Sequence, residues 1–316
     1  MTRIATLTLN PAMDLAVSTP RVVATDKLRC SRPRHDPGGG GINVARVVKI
    51  LGGESLAVYP AGGPFGDLLR RALDELNLAH LPVAIAGDTR ESFTVDEEAT
   101  GLQYRFVLPG PSLSEQERQG CLAALRGLHP APGYLVVSGS FTPGIGAAFF
   151  DELLALAAQV GARLVVDLSG EPLLYAAQRG GAYLIKPSLN ELATLMGRPL
   201  EREAEQEAAL RELIQRGAAE IIVLSLGAQG ALFACGERLE RLPSPQVPVV
   251  SAVGAGDSML GAIVHALAQG RELGEAVRYG AAAGAATVMR PGTQLCLRED
   301  VERLFGELQA TISRCD

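Results

Sequence analysis

The sequence predicts an α/β protein in which a mainly parallel β-sheet is covered by helices on both faces and carries a small additional β piece. Its 316 residues, 47% of them hydrophobic, are enough to bury one large core. From residue 134 onward, short apolar runs rich in β-branched residues alternate with helix-like segments, a pattern typical of parallel sheets. Residues 90–107 instead alternate polar and apolar residues around a Thr-Gly turn, which predicts a hairpin. We therefore expect a single domain, 1–316, with a β lid formed from about 12–37 and 86–110.

Each predicted element follows from a local pattern. Strands are predicted where short apolar runs end at turn residues, and helices where apolar residues recur every three to four positions. The predicted strands are 4–9, 55–60, 134–139, 162–167, 182–187, 220–227 and 230–235. The predicted helices are 42–51, 65–76, 145–160, 172–178, 189–196 and 203–215. After residue 254 the chain is predicted to be almost entirely helical.

The composition argues against several classes of protein. A net charge of −6 gives no general reason to expect nucleic acid or anionic lipid as a partner. The scattered cysteines fit neither a disulfide framework nor a metal site, and the start of the chain is too short and too soon polar for a signal peptide, so we expect a cytoplasmic protein. Four widely separated histidines make zinc chemistry and His-based triads unexpected. The cysteines are Cys30, Cys121, Cys235, Cys296 and Cys315.

The segment SAVGAGDSMLGA, residues 251–262, places a Gly-Ala-Gly turn and one acid directly before an apolar helix. Free amides of Gly254, Ala255 and Gly256 at a helix start would stabilise an anion. Asp257 beside them could accept a proton from a hydroxyl that attacks a phosphoryl group. The alternative is that Asp257 only caps the helix.

The segment PGGGGINVAR, residues 37–46, is a second candidate for ligand binding. Consecutive glycines such as Gly39 let the backbone approach a ligand closely, and Asn43 offers an amide to hydroxyl groups. The alternative is a flexible turn with Asn43 in the first turn of a helix.

A set of cations on the predicted lid suggests a phosphorylated substrate. Lys27 and Arg29 are two residues apart and are predicted to share a strand face, while Arg90 and Arg105 flank the hairpin. Such a cluster in an acidic protein is suited to bind a phosphate group. Alternatively, Arg105 pairs with Asp96 across the hairpin.

Two further segments could contact a nucleotide. In LIKPSLNEL, Glu191 could hold a hydrated Mg²⁺ and Lys186 could neutralise phosphates, unless they are an ordinary first-turn acid and strand-end lysine. The turn in VLSLGAQGAL also suits a plain hairpin.

In this order along the chain, the segments resemble the PfkB group of ribokinase-like sugar kinases. The resemblance covers almost the whole chain and depends chiefly on the two segments at 37–46 and 251–262. Within the family, TLTLNPAMD, DKLRC, QYRFVLPG, VVSGSFTPG and GTQLC are similar to the ATP-dependent 6-phosphofructokinase branch, isozyme 2 type. The resemblance implies a Rossmann-like three-layer α/β/α core with a small β-sheet lid, through which such proteins usually form homodimers.

The resemblance also implies a role for each matching residue. On the sugar hydroxyls it implies Asp14, Gly39 and Asn43, and around the sugar phosphate Lys27, Arg29, Arg90, Arg105 and Ser140. On the nucleotide side it implies Lys186, Ser188, Glu191, Ser225, Gly227 and Gly230, with Glu191 as the metal ligand. It implies the amides of Gly254, Ala255 and Gly256 as the anion hole and Asp257 as the general base.

Two positions depart from the family pattern. Ser188 stands where the Mg²⁺ and phosphate motif usually has Asn, and a hydroxyl has a shorter reach than an amide. Arg290 and Pro291 replace an expected polar pair beside the monovalent-cation loop, which leaves the potassium requirement open.

The implied activity is transfer of phosphate from ATP, with Mg²⁺, to C1 of fructose 6-phosphate to give fructose 1,6-bisphosphate. Tagatose 6-phosphate and fructose 1-phosphate are alternative acceptors, and a non-catalytic sugar-phosphate-binding regulator is an alternative of another class. A dinucleotide oxidoreductase is disfavoured, because no Gly-x-Gly-x-x-Gly turn follows the first strand.

Overall fold

The computed structural model describes residues 3–312, and within that range the chain forms a large sheet, a small sheet and the helices around them. The large sheet has nine strands in the order β13-β12-β11-β10-β9-β8-β1-β4-β5. The pairings from β5 to β11 are parallel, and only the two at the β13 edge are antiparallel. Its strands are β1 (Ile4–Leu7), β4 (Ser55–Ala61), β5 (His80–Ala84), β8 (Tyr134–Ser138), β9 (Arg163–Asp167), β10 (Ala182–Ile185), β11 (Ala219–Ser225), β12 (Ala231–Cys235) and β13 (Arg238–Leu242).

Helices cover both faces of this sheet because successive strand residues point to opposite sides. Leu135 and Val137 of β8 belong to one buried apolar cluster, and Val136 between them belongs to another. The helices are α1 (Gly40–Ile50), α2 (Gly63–Glu75), α3 (Glu115–Arg126), α4 (Phe149–Val160), α5 (Glu171–Arg179), α6 (Leu189–Met196), α7 (Glu203–Gln215), α8 (Ala255–Ala268), α9 (Leu273–Val288) and α10 (Arg298–Ile312). The first cluster includes side chains of α3 to α7, and the second those of α1, α8 and α9. The predicted α/β fold with three layers is therefore confirmed.

The small sheet has four strands in the order β3-β2-β6-β7. They are β2 (Ala12–Thr19), β3 (Arg34–Gly38), β6 (Arg90–Glu97) and β7 (Gln103–Val107). β2 follows the carboxyl end of β1, and β3 leads directly into α1, so this sheet is tied to one edge of the core. One of its faces presents Asp14 opposite Ser92, and Ser92 opposite Val107.

Several elements differ from the sequence prediction. β5 was not predicted because it contains Pro82, which an edge strand tolerates, and β13 was not predicted because its RLERL sequence is too polar for a buried strand. α3 was also missed. β1 ends at Leu7 rather than residue 9. Thr8 N still donates to Val58 O of β4 at 3.0 Å, and the Thr8 hydroxyl accepts a hydrogen bond from the Ile42 amide at 2.8 Å. The predicted helix 145–160 begins only at Phe149.

None of the helices within residues 3–312 is long and apolar enough to cross a membrane. Cys30, Cys121, Cys235 and Cys296 are free thiols, and Cys315 lies outside the described residues.

Candidate active site

The acid near the start of α8 does not cap that helix, so the start is open in the sense that no described side chain accepts its amides. Gly254 adopts a left-handed conformation, φ 75°, and among the described residues no side chain caps this helix. Asp257 is the third helical residue, and its Oδ2 instead accepts a hydrogen bond from Asn43 Nδ2 at 2.9 Å. The interpretation of Asp257 as a simple cap is therefore wrong.

A small polar cavity of about 220 Å³ lies beside this turn. Its walls come from α1, the small sheet and the start of α8. Gly39 brings the backbone close to the cavity with φ 113°, a conformation that favours glycine. The predicted residues that line it are Asp14, Gly39, Asn43, Arg90, Arg105, Gly254 and Asp257. Residues separated by more than 200 positions along the chain thus meet in one cavity.

Burial controls the charges in this cavity. Desolvation raises the pKa of Asp14 to about 6, although the nearby guanidinium groups of Arg90 and Arg105 oppose that shift. Burial also raises the pKa of Asp257, against the hydrogen bond from Asn43 and the positive charge of Lys186. Both carboxyl groups are therefore poised to exchange protons nearer to neutral pH than exposed acids.

The alternative partner of Arg105 is not observed in the described structure. Arg105 lies opposite Thr94 in the hairpin, and Asp96 lies opposite Gln103. Gln103 Nε2 donates to Asp96 Oδ1 at 2.8 Å. The alternative interpretation, an Arg105–Asp96 pair, is thus wrong, because the register puts the two residues at different positions of the ladder.

A second cavity, of about 340 Å³ and mostly apolar, lies on the other side of the same turn. Ala255 and Gly256 line it, together with apolar side chains such as Val247 and Met259. Ser225, Gly227 and Gly230 line it from the end of β11 and the following turn. That turn also joins β11 to the antiparallel β12. The segment is therefore a hairpin, as one sequence interpretation held, and it also lines a cavity.

Lys186 lies buried close to the start of α8. Its Nζ is 3.1 Å from Asp167 Oδ2, and it lies near the Cα of Gly256. Burial raises the pKa of Asp167 to about 6, Lys186 opposes the shift, and the negative charges of Asp257 and Glu191 add to it. Asp167 was missed in the sequence. The available signal was an acid that ends the apolar strand RLVVD, at the sheet edge where the other candidates gather.

Ser188 and Glu191 form a capping box at the start of α6. Ser188 N and Oγ both donate to Glu191 Oε2 at 2.8 Å, and Ser188 Oγ accepts from Glu191 N. A parallel bridge joins Ser188 to Ser225, which brings this helix start to the rim of the apolar cavity. The interpretation of Glu191 as a first-turn acid therefore describes this structure.

Ser140 lies outside the polar cavity, on a neighbouring open cleft of about 600 Å³. Its hydroxyl accepts a hydrogen bond from Asn10 Nδ2 at 3.0 Å. Arg90 lines both the cleft and the polar cavity, so it connects Ser140 to the rest of the site.

Lys27 and Arg29 do not share a strand face. The described connection 20–33 contains no strand, and both side chains are exposed there and line none of the three cavities. This connection is held to β2 by single bonds, such as that from Ser31 N to Ser18 O at 2.8 Å, and not by a strand ladder that would give Lys27 and Arg29 a common face.

The chain is similar to known proteins over most of its length. Residues 7–300 match the model of the pfkB family carbohydrate kinases. The chain is 48% identical over 303 residues to the ATP-dependent 6-phosphofructokinase isozyme 2 of Mycobacterium tuberculosis, covering 96% of this chain and 89% of that one. It is 34% identical to a 1-phosphofructokinase of Xanthomonas campestris, covering 83% of each.

A solved structure is similar over nearly the whole chain. The crystal structure of phosphofructokinase-2 from Escherichia coli in complex with potassium superposes with a TM-score of 0.93 at 41% identity, covering 98% of this chain and all of that one. The same E. coli enzyme has also been solved as a tetrameric inhibited form.

Proposed function

Because this chain belongs to the pfkB family of carbohydrate kinases and is an ATP-dependent phosphotransferase, we propose that it phosphorylates C1 of fructose 6-phosphate. The observation that carries the proposal is the start of α8, which separates a small polar cavity from a larger apolar one. Asp257 and Gly254 face the polar side, and Ala255 and Gly256 face the apolar side. Two substrates bound in these cavities would meet at one turn, as direct phosphoryl transfer requires.

In the proposed reaction the sugar phosphate occupies the polar cavity. Arg90 and Arg105 would bind its phosphate, with Ser140 at the far side of Arg90, because guanidinium groups suit phosphate geometry. Asp14, Asn43 and the backbone at Gly39 would bind its hydroxyl groups. These contacts would leave the acceptor hydroxyl beside Asp257.

Asp257 would act as the general base. The C1 hydroxyl gives its proton to the carboxylate while its oxygen forms a bond to the γ-phosphorus of ATP. The bond from that phosphorus to the β-phosphate oxygen breaks, and ADP leaves with the electron pair. The amides of Gly254, Ala255 and Gly256 would stabilise the charge on the transferred group.

ATP is proposed to occupy the apolar cavity. Its base would pack against the apolar lining, and Ser225, Gly227 and Gly230 would contact it from the β11 turn. Lys186, close to Gly256, would neutralise phosphate charge. Ser188, at the rim through its bridge to Ser225, is proposed to face the phosphates.

The residues at the phosphate end fit a hydrated Mg²⁺. Within residues 3–312 no cluster of three His, Cys, Asp or Glu side chains could hold a metal ion. Asp167 and Glu191, however, lie close enough for the charge of one to raise the pKa of the other, and Mg²⁺ commonly uses one or two carboxylates with water and substrate phosphates. Bound there, Mg²⁺ would neutralise charge on the phosphates. Potassium is the second ion to test, because the related E. coli enzyme was solved with it.

We also propose a homodimer formed through the outer face of the small sheet, which would act as the lid. That face exposes apolar side chains, including Phe93 and Phe106, which are 36% and 46% exposed and stack at 4.6 Å between ring centroids. Lys27 and Arg29, which line no described cavity of their own chain, would reach a sugar phosphate across this dimer. The proposed location is the cytoplasm, in keeping with the reduced cysteines.

Release of ADP measured with fructose 6-phosphate, tagatose 6-phosphate, fructose 1-phosphate and free fructose tests the proposal. We expect the highest kcat/KM with fructose 6-phosphate. Arg90→Ala and Arg105→Ala should each raise its KM roughly 10-fold or more, the effect of losing a charge-assisted hydrogen bond. Arg303→Ala on α10 is the control and should leave KM unchanged. A normal KM in both site variants would contradict the proposed phosphate binding by Arg90 and Arg105. Absence of ADP release that depends on an acceptor would contradict the proposed kinase activity.

A further inference from the structure

The amide of Asn43 lies between two charged groups of opposite sign. Its Nδ2 donates to Asp257 Oδ2 at 2.9 Å, and its Oδ1 accepts from Arg46 Nη1 at 3.2 Å. Arg46 is one helical turn after Asn43 on α1, so the two side chains lie on the same face of that helix. The three side chains form a chain of hydrogen bonds that ends at the proposed base.

Only one orientation of this amide satisfies all three groups. A guanidinium can only donate hydrogen bonds, and a carboxylate can only accept them. The amide oxygen must therefore face Arg46 and the amide nitrogen must face Asp257. Without Arg46 the amide could turn, and its oxygen would then face Asp257 and favour a protonated carboxyl group there.

Arg46 is itself held by the small sheet. The same Nη1 donates to the backbone oxygen of Pro37 in β3 at 2.8 Å. Arg46 also lies near the carboxylates of Asp36 and Asp14, which belong to β3 and β2. The position of the small sheet is thus coupled, through one guanidinium and one amide, to the start of α8.

We propose that Arg46 is a positioning residue for phosphoryl transfer: it fixes the Asn43 amide, which in turn orients the carboxylate of Asp257, and it links that orientation to the small sheet. The proposal rests on the proposed function, in which Asp257 is the base. Oriented in this way, Asp257 keeps one oxygen bound to Asn43 and the other available for the hydroxyl of the sugar.

Other charged groups also face Asp257 and will influence its titration. They are Lys186 at the end of β10, Arg105 on β7 and Asp167 at the end of β9. All of them remain in the variants below, so a difference between variants reports on Arg46 and Asn43. Arg46 acts on Asp257 through its charge as well as through the amide. The experiment must separate these two routes.

The test is the pH dependence of kcat at saturating ATP and fructose 6-phosphate for Arg46→Met, Asn43→Ala and the double variant. Arg46→Met should lower kcat roughly 10- to 100-fold, the scale on which small misplacements of reacting groups act. Its acid limb should move to higher pH while the KM for ATP stays within about twofold of the unaltered enzyme. In the Asn43→Ala background, Arg46→Met should lower kcat less than about twofold further.

Arg46→Lys and Arg241→Met serve as comparisons. Arg46→Lys keeps a donating cation and should recover part of the lost kcat. Arg241 is another partly buried arginine, which donates to Gln206 at 3.1 Å, and Arg241→Met should leave kcat and its pH profile unchanged. If Arg46→Met does not fold, as judged by thermal denaturation, the same cycle is run with Arg46→Gln.

Two results would overturn the inference. One is a kcat and acid limb in the Arg46 variant equal to those of Arg241→Met. The other is an undiminished effect of Arg46→Met in the Asn43→Ala background, which would assign the effect to charge alone. In both cases the unaltered enzyme still releases ADP. If it does not, the proposed function has failed.

Discussion

The starts of α6 and α8 differ in whether the acid of the first turn caps its own helix. Each helix carries an acid at its third position, Glu191 in α6 and Asp257 in α8. Glu191 turns back and accepts from its own cap residue, Ser188, whereas Asp257 is held away from its helix by Asn43. Gly254 at the start of α8 has no side chain with which to accept the first-turn amides, and the amide of Ala255 makes only a long bond of 3.4 Å to Ala252 O. The residue at the cap and the neighbouring side chains, rather than the acid itself, therefore decide whether a helix start is closed or open to a ligand.

The largest expected difference between the two helices is in the kinetic effect of neutralising the acid at the third position of each. Asp257→Asn should lower kcat at least ~10²-fold with substrate affinity nearly kept, because a positioned base is lost. Glu191→Gln at the same helical position should act chiefly on the KM for ATP and Mg²⁺. Initial rates of ADP release at varied substrate concentrations measure both. Near-normal turnover of Asp257→Asn would remove the contrast between the helices.

Adding one methyl group at Gly254 should disturb the backbone conformation at the start of α8. In Gly254→Ala the side chain must adopt a left-handed conformation, which costs about 1–2 kcal/mol, and its Cβ would lie 2.9 Å from Leu295 Cδ2. We expect the turn to shift and kcat to fall about 10-fold, part of the effect of losing an oxyanion-type donor.

Gly161→Ala at the end of α4 is the matched control for this strain. Gly161 has φ 71°, and a Cβ at this position would meet no atom of the described residues within 4 Å. The substitution should lower Tm by a similar amount and leave kcat unchanged. Equal kinetic effects from both variants would show that the turn at Gly254 has no special role.

The pH dependence of KM and of kcat separates the role of Asp14, which is proposed to bind substrate, from that of Asp257 at the start of α8. The pKa of Asp14 is raised from 3.8 to about 6, so its contribution to the free energy of unfolding is present below pH ~4 and is lost as pH rises to ~6. A sugar hydroxyl that donates to Asp14 favours the carboxylate. The KM for fructose 6-phosphate should therefore rise up to about 10-fold per pH unit below pH 6.

Asp14→Asn should abolish this rise in KM, and the acid limb of kcat, which we assign to Asp257, should persist. A KM that is independent of pH between 5 and 7 in the unaltered enzyme would contradict the role of Asp14.

The smallest expected effect concerns the closed helix start. Ser188→Ala removes the cap of α6 and should cost about 1 kcal/mol of stability, which lowers Tm by about 2 °C. Ser114→Ala removes the same kind of capping box from α3, away from the site. Both variants should lose similar stability in thermal denaturation, but only Ser188→Ala should change the KM for ATP. Equal KM values would restrict Ser188 to capping.

Most of the core of the fold could be predicted because most of its strands and helices carry a clear local pattern, whereas β5, β13 and α3 do not. The open turn at Gly254 was also visible, since glycines directly before an apolar helix are a local signal. Asp167 and Arg46 were missed because they look like an ordinary strand-end acid and an ordinary helical arginine. Asp167 and its partner Lys186 become neighbours only after folding. The bond from Arg46 to Asn43 depends on the orientation of the Asn43 amide, which the sequence does not reveal.

The positions of Lys27 and Arg29 were wrong for a related reason. Spacing of two residues predicts a shared face only if the stretch is a strand, and pairing with another strand decides that. For Glu191 the sequence allowed two interpretations, a metal ligand and an ordinary first-turn acid. Its capping box with Ser188 was not predicted, although Ser followed three residues later by Glu is a local signal for one, and the bridge from Ser188 to Ser225 forms only on folding.

The most direct test of the open start of α8 is an NMR measurement on protein labelled with ¹⁵N at its backbone amides. ADP, fructose 6-phosphate and aluminium fluoride, which imitates the transferred phosphoryl group, are added together and compared with ADP and fructose 6-phosphate alone. We predict that the amide resonances of Gly254, Ala255 and Gly256 shift when the fluoride is added, while those of Ser188 and Glu191, already bonded in the capping box, shift much less. Fluoride-dependent shifts confined to the α6 start, with Gly254 to Gly256 unchanged, would contradict the account.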